Sequence, residues 1–101
     1  KSNRSRFMKT FQSGASSSEL KPRYDLIPFA ALKRLADRLT LGASVHGDNN
    51  YQKGGDDFWT DRKNHLVEHL FSYMEGDQSD DHLGAILCNA AMLAWKENKN
   101  N

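Results

Sequence analysis

Apolar residues first become periodic at Ile27. From there Phe29, Leu32, Leu35, Ala36 and Leu39 recur at three- and four-residue intervals, the spacing of one helix face. Pro28 suits a first helical turn and Gly42 suits a stop, so the pattern predicts a first helix from about Pro28 to Gly42. Lys33, Arg34, Asp37 and Arg38 fall on its opposite face. Lys33 and Asp37 are spaced for a weak surface pair, and the face as a whole reads as solvated. Residues 43–57 hold Gly47, Gly54, Gly55, Asp48, Asn49 and Asn50, a density of turn formers that predicts a long functional or mobile loop.

Asp56 or Asp57 can cap a second helix running to Glu75, with Leu66, Leu70, Phe71 and Met74 on its apolar side and Gly76 as its stop. Ser79 or Asp80 can cap a third, in which Leu83, Ile86, Leu87, Ala90, Leu93 and Ala94 are expected to face inward. Lys96 to Asn101 are polar and expected to fray. No long alternating pattern marks a strand and no internal repeat is present. The expected architecture is all-α, a three-helix domain over residues 21–97, with a flexible arm at 1–20 and a frayed tail at 98–101. Three such helices make a thin core, which predicts a homo-oligomer that completes a helical bundle.

Composition narrows the setting. No apolar stretch approaches the roughly 20 residues of a membrane-spanning helix, and no signal-peptide pattern is present. A single cysteine, Cys88, cannot form an internal disulfide and reads as core. Both features fit the cytoplasm of a bacterium or of a phage-infected cell. The net charge of +1 conceals a division: residues 1–24 carry six Lys/Arg and one acidic residue, whereas 25–101 carry eight against twelve. The Ser-rich arm is basic and cannot bury enough surface to order itself. The helical body is acidic.

Two polar groups stand at helical spacing. His65, Glu68 and His69 match H-x-x-E-H, an inverted zinc-peptidase motif, but such enzymes require a third, distant ligand. His69, Asp77, Asp81 and His82 bracket the short connection between the second and third helices, with Asn89 two turns further on. A helical hairpin brings those ends together, and an oxygen-rich site there suits Mg²⁺ or Mn²⁺. The alternative is that the carboxylates only cap and solubilise the turn. Lys21 and Arg23 flank Pro22 and can clamp phosphates, or form a basic linker. Tyr51, Phe58 and Trp59 can stack on a base or belong to the core.

Several strings occur together in order: Ser13-Gly14-Ala15, the run Lys-Pro-Arg-Tyr-Asp-Leu-Ile-Pro at 21–28, Leu35-Ala36, the run Leu-Thr-Leu-Gly-Ala at 39–43, and His-Gly-Asp-Asn-Asn-Tyr at 46–51 with Lys53-Gly54. Glu68-His69-Leu70, Glu75-Gly76-Asp77, Asp81-His82-Leu83 and Asn89 follow. In this order and spacing the chain resembles the phage-type dATP/dGTP diphosphohydrolase family over about residues 11–95. The resemblance implies an all-α enzyme of phage or bacterial origin, akin to MazG-like nucleotide pyrophosphohydrolases, which use a divalent metal to cut a purine deoxynucleoside triphosphate into monophosphate and pyrophosphate. By position it places His69, Asp77, His82 and Asn89 in the shared polar site and sets Lys21, Arg23 and Asp25 along its N-terminal side. The loop at 46–54, with Asn49 and Tyr51, would close over the nucleotide. Glu68 stands where the family usually has Arg, Leu20 and Asp77 replace its usual Gly and Glu, and the Glu-Glu-x-x-Glu helix of MazG enzymes is absent.

The expected chemistry is metal-assisted hydrolysis. Mg²⁺ or Mn²⁺ on Asp77 and Asp81, with Glu68 in support, would neutralise the triphosphate, while Lys21 or Arg23 stabilises developing charge. His69 or His82 would orient or deprotonate the water. Two other expectations use the same residues: a protein that binds or sequesters a nucleotide without turning it over, and a phage adaptor whose residues 1–20 contact nucleic acid.

Overall fold

The computed structural model describes residues 9–10, 12, 14–17 and 21–99. Most of the expected arm, including Lys1, Arg4, Arg6 and Glu19, therefore lies outside the described residues, as do 100–101 of the tail. Within the arm, β1 (Lys9–Thr10) pairs antiparallel with β2 (Ser16–Ser17), a ladder too short to bury a sheet face. The body is all-α: α1 (Phe29–His46), α2 (Asp56–Met74) and α3 (His82–Lys99), with 3-10 turns at Tyr24–Leu26 and Asn50–Lys53. No helix among the described residues is long and apolar enough to cross a membrane.

Helix α1 starts where expected, Pro28 offering its carbonyl to the amides of Ala31 and Leu32. It does not stop at Gly42. One glycine costs a helix interior only about 1 kcal/mol relative to alanine, too little to terminate it. The stop is Gly47, whose φ of 95° suits a residue without a Cβ and whose amide donates to the Ala43 carbonyl at 2.8 Å. Asp56 and Asp57 lie in the first turn of α2, where carboxylates complement the helix dipole; the cap position itself is Gly55. At the other end, Gly76 N–H donates to Tyr73 C=O and Asp77 N–H to Ser72 C=O, with Gly76 at φ 83°. That pair of bonds is a Schellman motif, and it fixes Asp77 immediately beyond the helix.

The cap of α3 is Asp81 rather than Ser79 or Asp80. Its Oδ1 accepts the Gly84 amide at 3.1 Å, while Asp80 Oδ1 accepts the Asp81 amide at 2.7 Å. A Cβ at Gly84 would run into the Asp81 carboxylate, so this cap depends on glycine there. Helix α3 continues to Lys99, whose ammonium lies 5.0 Å from the Trp95 ring centroid.

Both other helices pack on α3, but only in part through the faces the periodicity singles out. On α3 the buried positions are His82, Gly84, Ala85, Cys88, Asn89 and Met92, whereas Ala90 and Ala94 are exposed and Leu83, Ile86, Leu87 and Leu93 are half-buried. On α2 the inner stripe is Trp59, Arg62, His65, Leu66 and His69; Leu70, Phe71 and Met74 are exposed, Met74 to 73%. On α1, Ala31, Leu35, Arg38 and Gly42 turn inward, while Phe29 is 79% exposed and Leu32, Ala36 and Leu39 also face solvent. Arg38 is thus not part of a merely solvated face. Lys33 and Asp37 do form the expected surface pair, at 3.1 Å.

The buried apolar cluster is small. Trp59, Cys88 and Met92 form its centre, with Leu35, Tyr51, Phe58, Leu93 and Trp95 around them. Trp59 and Trp95 stack at 6.4 Å, Tyr51 meets Trp95 edge-on at 5.5 Å, and Trp59 Nε1 donates to the Gly54 carbonyl at 3.0 Å. These contacts pin the 47–55 loop to the body and leave the polar stripes of α1, α2 and α3 to line a groove.

Candidate functional site

The groove has a volume of about 770 Å³, within the range of small-molecule sites. Arg38 and Gly42 come from α1, Asn49 and Tyr51 from the loop, Phe58, Arg62 and His69 from α2, and Asn89 from the floor provided by α3. Of the residues expected to bind substrate, Asn49, Tyr51 and Asn89 line the groove. Lys21, Arg23 and Asp25 are exposed and do not line the groove; Arg23 instead forks onto Asp25 through two bonds of 2.7 Å. That pairing engages the guanidinium face that a phosphate would use, and it raises the Arg23 pKa.

At one side of the groove stands a hydrogen-bonded chain. Asp77 Oδ2 accepts His82 Nε2 at 2.5 Å and Ser79 Oγ at 2.7 Å. These two bonds, that to His82 first, hold the Asp77 carboxyl below its ordinary pKa. His82 Nδ1 faces His69 Nδ1 at 2.8 Å. Because an ionised carboxylate can only accept, His82 Nε2 donates to Asp77, and the two Nδ1 atoms share a proton between the rings. Burial, then the charge of Arg38, pushes the His69 pKa down and so favours the neutral imidazole. His69 lines the groove; His82 is buried behind it.

Arg38 and Arg62 bring the guanidinium groups to the groove. Arg38 Nη1 and Nη2 bind the two oxygens of Asp80 at 2.7 and 3.1 Å, which lowers the Asp80 pKa to about 2. Arg62 donates to Asn89 Oδ1 at 3.2 Å and to Asp61 at 2.9 Å, and lies over the Phe58 ring at 5.2 Å. Its bond to Asp61 holds that carboxyl low, and its Nε is buried without a hydrogen-bond partner. Asn89, 4% exposed, completes its bonding by donating to the Ala85 carbonyl at 2.9 Å. Sequence reasoning missed Arg38, Arg62 and Asp80. The detectable signal was the stripe Arg62, His65, His69 at helical spacing; nothing in the sequence separates Arg38 from Arg34.

The metal expected on Asp77 and Asp81 is not matched by the donors as they stand. Asp77 is committed to His82 and Ser79, Asp81 caps α3 and faces Arg34 at 3.8 Å, and Glu68 is exposed and outside the groove. His65 turns back on its own helix, its Nδ1 against the Asp61 carbonyl at 2.9 Å, so the two histidines of the H-x-x-E-H string do not share a centre. The group whose donor atoms do converge among the described residues is His69, Asp80 and His82.

Searches of curated proteins and of solved structures returned no match for this chain. A family model described as dATP/dGTP diphosphohydrolase, N-terminal, matches residues 12–101, from the arm through all three helices. The chain belongs to the dATP/dGTP diphosphohydrolase N-terminal family.

Proposed function

We propose that the groove binds a purine deoxynucleoside triphosphate and that water hydrolyses it there to the monophosphate and pyrophosphate. The observation that carries this reading is one concave site joining two guanidinium groups and an oriented imidazole pair to aromatic and amide side chains. Arg38 and Arg62 bring positive charge to a polyphosphate, Arg38 from a guanidinium held by Asp80 and Arg62 from one held by Asn89 and Asp61. Phe58 and Tyr51 offer rings to a purine, and Asn49 offers both a donor and an acceptor. In the reaction, water oxygen bonds to the α-phosphorus as the bridging P–O bond breaks, pyrophosphate leaves with the electron pair, and the water surrenders a proton. His69, exposed to the groove and held by His82 and Asp77, is where that water meets the protein. A nonhydrolysable dGTP analogue tests the binding half: calorimetric binding that Arg62→Gln weakens supports it, and binding indifferent to that change refutes it.

A second copy of the chain is the natural cover for the outer apolar residues. Phe29 on α1 and Val67, Phe71 and Met74 on α2 are exposed large apolar side chains outside the groove. Sedimentation of the full chain as a homo-oligomer, reduced to monomer by Phe71→Lys, is the expected result.

A further inference from the structure

The geometry points to His69, His82 and Asp80 as a site for a divalent d-block cation such as Co²⁺, Zn²⁺ or Mn²⁺, in place of the Mg²⁺ that an all-carboxylate site would take. Three features carry this. First, one ligand atom from each residue lies within 4.8 Å of the other two, and these are two imidazole nitrogens and one carboxylate oxygen. Nitrogen donors favour d-block ions, whereas Mg²⁺ favours oxygen and water. Second, the two Nδ1 atoms face each other at 2.8 Å, so a cation between the rings replaces one shared proton with two lone pairs. Whichever ring carries that proton, it passes to solvent or to His69 Nε2 when the cation enters, and both Nδ1 atoms then present lone pairs. Third, Asp77 holds His82 Nε2 at 2.5 Å, the outer carboxylate that commonly orients a metal-bound histidine and strengthens it as a ligand.

Arg38 does not close the site. It takes one acceptor direction on each Asp80 oxygen and the Asp81 amide takes the second on Oδ1, so Oδ2 is the oxygen with a direction left for a cation. Asp80 is also 41% exposed at its side chain, leaving room for the cation's remaining water ligands. The inference deepens the hydrolase reading, since the cation would sit beside His69 where the water enters, but its test needs no nucleotide.

The full chain is titrated with CoCl₂ and followed by visible absorption, with ZnCl₂ and MgCl₂ measured by calorimetry. The expected result is a single Co²⁺ site that Zn²⁺ displaces and Mg²⁺ does not. His69→Gln and His82→Gln abolish it, Asp77→Asn weakens it by about 10- to 100-fold, and His46→Gln leaves it unchanged. Co²⁺ binding that survives both His69→Gln and His82→Gln, no binding at all, or Mg²⁺ binding as tightly as Co²⁺, overturns the assignment. Should the histidine variants unfold, the wild-type chain decides: Zn²⁺ must shift the imidazole ¹⁵N resonances of His69 and His82, and shifts confined to His46 and His65 overturn it. Cation binding without hydrolysis of any purine nucleotide would refute the proposed function and leave this site standing; hydrolysis without cation binding would do the reverse.

Discussion

Arg38 reaches from the middle of α1 to grip both carboxylate oxygens of Asp80 in the turn between α2 and α3, at 2.7 and 3.1 Å. The pair ties a groove wall to the segment that positions His82. It also makes folding pH-dependent. Asp80 has its pKa lowered to about 2, chiefly by the bond to Arg38, so its stabilisation is fully present above the unfolded value near 4 and is lost as pH falls through about 2. With Asp80 41% exposed, solvent screening limits the effect to about 1 kcal/mol. Asp80→Asn is therefore expected to lower urea stability by about 1 kcal/mol at pH 7. The gap from wild type should close as pH falls from about 4 to below 2, and a gap that is constant with pH would contradict the assignment.

Asp77 acts on the groove only through His82. Its removal should cost turnover rather than affinity. Asp77→Ala frees the His82 ring and is expected to lower kcat by about 10-fold or more with KM little changed, as for other orienting partners. Asp77→Asn keeps an acceptor for Nε2 and should lose less. Steady-state kinetics on both variants check the order; a KM effect larger than the kcat effect would place Asp77 in contact with substrate instead.

Arg62 makes the opposite prediction. It lines the groove and is held by Asn89, Asp61 and the Phe58 ring. Arg62→Gln is expected to raise KM by about 10-fold through loss of a charge-assisted phosphate contact. Arg23→Ala should leave KM within about twofold, because Arg23 is forked onto Asp25 outside the groove. Equal effects of the two changes would return the N-terminal string to the site.

The cap of α3 can be tested without any assay of activity. Asp81→Ala removes the acceptor for the Gly84 amide and should cost about 1 kcal/mol. Gly84→Ala should cost as much or more, since its Cβ would displace the same carboxylate. The double variant is expected to be more stable than the sum of the two implies, because the methyl then meets no carboxylate. Additive losses in denaturant melts would show that Gly84 matters for another reason.

The helices themselves were legible because each carries a three- and four-residue period, with glycine after α1 and α2. Their inner faces were not. Periodicity reports which positions are apolar, and here the packed stripes hold Arg38, Arg62, His69, His82 and Asn89, while Phe29, Phe71 and Met74 lie outside. A face built around a polar site looks, in sequence, like a solvent face. The juxtaposition of His69, Asp77 and His82 was legible because the short turn after Gly76 forces two helix ends together. Arg38 and Asp80 lie far apart in sequence, and only the packing of α1 on α3 brings them into contact.

The proposed reaction cleaves the bond between the α- and β-phosphates, and one measurement tests that directly. The full chain is incubated with dGTP or dATP and divalent cation in ¹⁸O-labelled water, and the products are resolved by ³¹P NMR. The prediction is deoxynucleoside monophosphate carrying the label on its phosphate, with unlabelled pyrophosphate. Labelled inorganic phosphate, or nucleotide recovered intact from a folded protein, would contradict it.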